Sequence, residues 1–174
     1  SSTIATWLQS AGYRTGFVGK YLNGYASLSP YIPPGWDEWH AANNDGYFNV
    51  NYKLNENGKI VAYGGTPEDY LTDVIAAKAA DHIRRFSAEG RPFFLYVATF
   101  APHSPYNPAP RHKGMFKDAE LPRPPSFNEN DVSDKPGFIQ ELPRLSQDQI
   151  AEITTHHRQR QGTDGHQQAS HEVL

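Results

Sequence analysis

The sequence predicts an α/β fold built on a mostly parallel sheet, and three observations carry that reading. Two helix-then-strand units follow one another, over residues 3–20 and 66–100. The second strand, Phe93–Phe100 (FFLYVATF), is a nearly unbroken apolar run of the kind buried inside parallel sheets. Each strand leads into a side chain that can carry positive charge, Lys20 after the first and His103 after the second. Both groups therefore fall on the carboxyl edge, where open α/β sheets bind ligands.

The elements follow in order. Ile4, Trp7, Leu8 and Ala11 recur at helical spacing after Thr3, and Gly12 stops that helix. Thr15–Val18 is a brief strand, which places Gly19 and Lys20 at its carboxyl end. Pro33–His40 (PPGWDEWH) reads as turn-rich; Trp36 and His40 are candidates to line a sugar or aromatic pocket, with core or lid packing as the plainer reading. Phe48, Val50, Tyr52 and Leu54 alternate with polar neighbours and turn at Asn57-Gly58, the signature of a β-hairpin with a type I′ turn. Thr66, Pro67 and Asp69 form an acidic capping box. They lead into a helix whose apolar stripe is Leu71, Val74, Ile75, Ala79, Ile83 and Phe86. His82 lies beside the stripe as a boundary packing residue, and Gly90 and Pro92 end the helix. Residues 104–145 are proline-rich and aperiodic, so they are assigned as loop. A last helix begins at Ser146, where Gln149 completes a Ser-x-x-Gln box, with Ile150, Ile153 and His157 on one face. Residues 161–174 are rich in Gly, Gln, His and Ser, which have nothing to pack with, the composition of a disordered or aberrant tail.

Composition narrows the function classes. A chain of 174 residues holds one domain with a core and is too short for two ordinary ones. The hydrophobic fraction is only 37% while aromatics reach 13%, so burial has to lean on Tyr, Phe and Trp. A net charge of −3 with both signs scattered supplies no basic face, which argues against nucleic acid and anionic lipid as partners. The absence of cysteine removes disulfides and thiolate metal sites. No apolar run is long enough to span a membrane. The chain lacks an initiator methionine and opens close to a helix, so it is expected to be an internal piece of a longer protein.

Two residues stand out chemically. Lys20, alone, is most simply a snorkelling surface lysine, and His103, held between Pro102 and Ser104-Pro105, is a common kind of loop histidine. At equivalent ends of two neighbouring strands they become convergent donors for a small oxyanion such as sulfate or phosphate. The other titratable residues have duller explanations. Asp69 and Asp73 suit the first turns of a helix. His156 and His157 face different directions, His112 sits in a small basic cluster, and His166 and His171 lie in the tail.

The ordered motifs resemble the sulfatase family. TIATWLQSAGYRTGFVGKYLNGY is similar to the segment that follows the family's nucleophile motif, with G-Y-x-T and then G-K leading to an active-site lysine. RPFFLYVATFAPHSPYNPAP resembles the later strand that ends in A-P-H, IPPGWDEWH resembles a tryptophan-rich turn, and EDYLTDVIAAKAADHIRRF resembles the helix between. GKYLN together with APHSP is most similar to the N-acetylglucosamine-6-sulfatase and arylsulfatase branch. The resemblance implies an incomplete alkaline-phosphatase-like sandwich over residues 1–160, carrying an inserted β-hairpin. It implies hydrolysis of a sulfate ester, on a sulfated sugar or an aryl sulfate, by a formylglycine nucleophile and a calcium ion. It places Lys20 and His103 on the sulfate and Asn23 on substrate or sulfate; the histidine that the family often shows two residues after the lysine is here Leu22. It also implies an extracellular, periplasmic or lysosomal compartment. The chain departs from the pattern in having neither Cys-x-Pro-x-Arg nor Ser-x-Pro-x-Arg, and no replacement for the family's Asp and Asn calcium ligands. It is therefore expected to be inactive alone and marginally stable. A non-catalytic sulfated-glycan-binding remnant and a phosphoryl-transfer member of the same superfamily are the alternatives.

Overall fold

The structure is a computed structural model that describes residues 2–116, 118–120 and 122–162, apart from the side chains of 44, 45 and 156–162. The chain forms two compact units, Ser1–Pro110 and the residues from Arg111 on. The expectations for the tail beyond residue 162, and for the side chains of His156, His157, His166 and His171, lie outside the described residues.

The first unit is the predicted α/β arrangement. Helix α1 (Ile4–Ser10) leads into strand β1 (Arg14–Lys20), and helix α2 (Leu71–Ala88) leads into β5 (Phe93–Ala98). Strands β1 and β5 pair in parallel from Arg14↔Phe93 to Gly19↔Ala98, which confirms them as neighbours. Between these two helix–strand pairs in the chain stand β2 (Glu38–Ala42), β3 (Lys53–Glu56) and β4 (Lys59–Ala62). They complete one five-stranded sheet of order β4-β3-β2-β1-β5, parallel across β2, β1 and β5 and antiparallel across β2, β3 and β4. The hairpin therefore extends the sheet, and its turn has the expected left-handed φ at both Asn57 (51°) and Gly58 (92°).

Four expectations are corrected. The segment read as turn-rich contains β2, which pairs in parallel with β1 from Gly16↔Glu38 to Lys20↔Ala42. Its Glu and His concealed a buried strand because their partners are remote in sequence. The hairpin begins at Lys53, since residues Asn44–Phe48 coil as a 3-10 turn instead of extending. On α2 the buried residues are Leu71, Ile75, Ala79, His82 and Phe86, so His82 takes the place on the stripe assigned to Ile83, which is 47% exposed. Strand β5, read as fully buried, leaves Tyr96 and Val97 exposed, and among the described residues it pairs only with β1.

The core lies on both faces of the sheet. Towards α2, Val18, Ala42, Tyr52 and Leu54 pack with Leu71, Ile75 and Phe100. On the other face Phe17, Tyr25, Trp39 and Ala41 pack with Tyr21, Ile32, Trp36 and Ala98. This second layer is the aromatic burial that the composition requires. Phe17 stacks on Trp39 at 4.5 Å between ring centroids and on Tyr96 at 5.5 Å. Each such pair is worth about 0.5–1.5 kcal/mol beyond the area it buries. Its polar handles are satisfied: the Tyr25 hydroxyl accepts from Trp39 Nε1 (2.8 Å) and Asn55 Nδ2 (2.6 Å) and donates to the Tyr31 carbonyl (2.7 Å).

Among the described residues of the second unit the predicted loop persists apart from a 3-10 turn at Pro110–His112 and one short helix, α3 (Gly137–Gln140). Asn128 ties the loop down by pairing both ends of its amide with the Leu145 backbone at 2.9 Å. Helix α4 (Gln147–Gly162) starts with the reciprocal Ser146–Gln149 bonds of a capping box, as the sequence predicts. No helix among the described residues is long and apolar enough to cross a membrane.

Candidate functional site

Lys20 is the last residue of β1, and the glycine before it is a matter of space. Gly19 has φ +117°, and a Cβ there would stand 1.8 Å from the Ala98 carbonyl oxygen of β5. Only glycine lets the two strands meet this closely at their carboxyl ends. The approach brings Lys20 beside Phe100, whose ring centre lies 5.5 Å from Nζ.

The half-buried lysine is held on two sides. Its Nζ donates to Asn23 Oδ1 at 2.8 Å and to the Tyr47 hydroxyl, and it lies 4.6 Å from the centre of the Tyr47 ring. An ammonium has three N–H donors, so two bonds leave one to offer a ligand. Asn23 thus acts on Lys20 here, orienting it.

His103 meets the same tyrosine. The two rings lie 4.7 Å apart, and Tyr47 also makes an edge contact with Phe100 at 5.0 Å. The histidine sits between two tight turns, its N–H bonded to the Phe100 carbonyl (2.8 Å) and its own carbonyl accepting from the Tyr106 N–H (3.1 Å). Its Nδ1 stands 2.7 Å from the Ser104 carbonyl oxygen. A carbonyl can only accept, so Nδ1 carries the proton and Nε2 is left to face a ligand. Lys20 and His103 therefore flank one phenol ring at the carboxyl edge of adjacent parallel strands.

Tyr47 is the residue that sequence reasoning missed. It lies in the 3-10 turn Asn44–Phe48, where a Cβ on Gly46 would come within 2.9 Å of the Leu71 and Phe100 side chains. The turn can sink against Phe100 because that position is glycine. No periodicity marks such a tyrosine, and Asn-Asp-Gly before it is the only local hint of a turn.

Trp36 and His40 are not brought to this site. The backbone N–H of Asp37 bonds to the Thr15 carbonyl, so Trp36 stands at the opening end of β1, five residues before Lys20. At about 3.3 Å per residue that is roughly 16 Å of strand. The Trp36 ring packs on Phe17, Trp39 and Phe94. His40 faces α2 and lines a cleft of about 730 Å³ with Arg14, Glu38, Lys78, Asp81, His82 and Arg85, a lining that includes neither Lys20 nor His103. The parallel register of β2 on β1 separates Trp36 from Lys20, whereas His40, opposite Val18, is committed to the cleft beside α2.

That cleft has its own electrostatics. Glu38 accepts from Arg85 Nη1 (2.6 Å) and Nη2 (2.7 Å) and from Arg14 Nη2 (3.1 Å). The Arg85 hydrogen bonds, against the cost of burial, hold its carboxyl at about 2. Burial, aided by the Lys78 charge, pushes His40 down to about 4, and burial also lowers His82. Both histidines are therefore neutral at pH 7. Among the described residues, Glu38, His40 and His82 are the one set of His, Asp and Glu side chains close enough together to hold a metal ion. Two imidazole donors do not suit calcium, which takes six to eight oxygens.

Residues 1–157 match the sulfatase family. The chain is 40% identical over 122 residues to N-acetylglucosamine-6-sulfatase of Homo sapiens, a match covering 67% of this chain and 22% of that protein. It is 37% identical over 173 residues to an arylsulfatase of Volvox carteri, covering 84% of this chain and 26% of that one. It is 37% identical over 137 residues to an extracellular sulfatase SULF-1 homologue of Drosophila melanogaster, covering 76% and 12%. The chain thus spans about a quarter or less of the length of these relatives. Its fold is similar to that of a solved protein in complex with its substrate D-glucosamine-2-N,6-O-disulfate, with a TM-score of 0.58 and 24% identity over 89% of this chain and 32% of the other.

Proposed function

The chain belongs to the sulfatase family, and from that premise we propose that it is the sulfate-binding wall of a sulfuric-ester hydrolase acting on a sulfated sugar or aryl sulfate. The observation that supports this reading is the convergence of Lys20 and His103 on the two sides of Tyr47. Lys20 directs its remaining N–H at one sulfate oxygen, with Asn23 and Tyr47 fixing its direction. His103, anchored through Nδ1, turns Nε2 to a second oxygen, to which it can donate only as the doubly protonated ring. Such charge-assisted bonds are the strong class, and a preorganised pair would hold the negative charge of a sulfate ester throughout its cleavage.

Formylglycine supplies the nucleophile in the family reaction, and no residue of this chain fits its Cys-x-Pro-x-Arg or Ser-x-Pro-x-Arg setting. The side chains that could gather a metal are of the wrong kind for calcium. The chain by itself therefore turns over no ester, and its own part is binding. The relatives whose names place them outside the cell make an exported protein the proposed setting.

Calorimetric titration with N-acetylglucosamine-6-sulfate, its desulfated form and its 6-phosphate tests the reading. Binding of the sulfated sugar alone, lost in both Lys20→Ala and His103→Ala, is the expected result. No discrimination between the sulfated and desulfated sugars refutes it, and preference for the phosphate moves the chain to phosphoryl chemistry.

A further inference from the structure

We propose that Glu38, His40 and His82 form a binding site for a zinc-class divalent cation at the bottom of the cleft between β2 and α2. Each residue can offer one ligand atom, and the three atoms lie within 4.8 Å of one another. All three side chains are withdrawn from solvent, with exposures of 11% for Glu38, 12% for His40 and 1% for His82.

The unfilled valences of the histidines argue for a ligand. Neither ring nitrogen of His82 makes a hydrogen bond, and His40 Nδ1 makes none. His82 Nε2 comes within 2.9 Å of Glu38 Oε2 in an ion-pair contact, which leaves its Nδ1 with no partner at all. Buried polar atoms in native proteins are almost always paired, and an ion is one of the few things that can satisfy an imidazole lone pair in such a place. A metal lying off His82 Nε2 and shared with Glu38 Oε2 and His40 Nε2, which stand 4.0 Å apart, would meet that demand.

The donor set agrees with this assignment. Two neutral imidazoles and one carboxylate form a three-ligand set that zinc takes with its fourth position open, here facing the cleft. Arg14 and Arg85 hold the carboxylate through Oε1, and Arg85 Nη2 also reaches Oε2 at 2.7 Å, orienting it as outer-sphere partners do. Asp37, Glu38 and Asp81 offset Arg14, Lys78 and Arg85 around the lining, so the cleft does not repel a cation. The site differs from an oxygen-donor calcium site in its ligands.

Co²⁺ serves as an optical probe of zinc sites. The chelator-stripped full chain is titrated with Co²⁺, and the expected result is one equivalent bound with visible d–d absorption, bleached by Zn²⁺ and unaffected by excess Ca²⁺. His82→Gln and His40→Gln are each expected to weaken binding by about 100-fold or more, beyond the 10–100-fold typical of outer-sphere changes. Circular dichroism checks that each variant folds, and the less buried His40 keeps the test alive if the His82 variant does not. No Co²⁺ absorption in the wild-type chain overturns the proposal. So does undiminished binding in folded His40→Gln, which would place the metal on other histidines.

Discussion

Replacing Glu38 by Gln tests how much of the fold rests on one buried carboxylate. The substitution keeps the size of the side chain but removes the charge that Arg85 holds through two bonds of 2.6 and 2.7 Å and Arg14 through one of 3.1 Å. The carboxyl sits at about 2 in the fold against 4.5 ordinarily. At about 1.4 kcal/mol per pH unit, that depression corresponds to about 3 kcal/mol of stability. The figure agrees with the ~3–5 kcal/mol lost when one member of a buried pair is removed, and the partial exposure of Arg85 keeps it at the lower end. Because the folded carboxyl is more acidic than the unfolded one, this stability is fully present above about pH 4.5 and drains away as pH falls towards 2. Urea unfolding followed by tryptophan fluorescence, with chelator present to keep metal out, should show the variant about 3 kcal/mol less stable at pH 7. The gap between the two proteins should shrink at pH 3. A difference below about 1 kcal/mol at pH 7, or one as large at pH 3 as at pH 7, would refute the reasoning.

Three further changes probe the rest of the structure. Tyr47→Phe keeps the ring that His103 packs against but removes the acceptor that aims Lys20, so the affinity for a sulfated sugar should fall about 5- to 10-fold with the fold intact; unchanged affinity in calorimetry would remove Tyr47 from the site. Tyr25→Phe strands the buried Trp39 N–H and should cost about 2 kcal/mol in chemical denaturation, with the variant no less stable than wild type as the contrary result. Gly19→Ala places a Cβ on the Ala98 carbonyl and should abolish cooperative unfolding, whereas a normal melt would show that the β1–β5 approach can relax.

The α/β class, the neighbouring of β1 and β5, and the turn at Asn57-Gly58 were legible in the sequence because each depends on local signals. Periodicity marks the covered face of α2, an apolar run marks β5, and left-handed φ at consecutive residues selects Asn-Gly. Lys20 and His103 could be placed together for the same reason, since one closes its strand and the other lies a few residues past the end of its own. Strand β2 could not be read, because a Glu and a His inside a strand look like turn chemistry until Arg14, Arg85 and His82 arrive from elsewhere in the chain. Register decided that Trp36 stands apart from Lys20 and His103, the α2 cleft claimed His40, and the close packing permitted by Gly46 decided that Tyr47 stands between the two. Local sequence thus determined which segments coil or extend and where two cations emerge. Only the tertiary structure decided which buried charges are paired and which ring joins the cations, because those interactions act through space between residues that chain order keeps far apart.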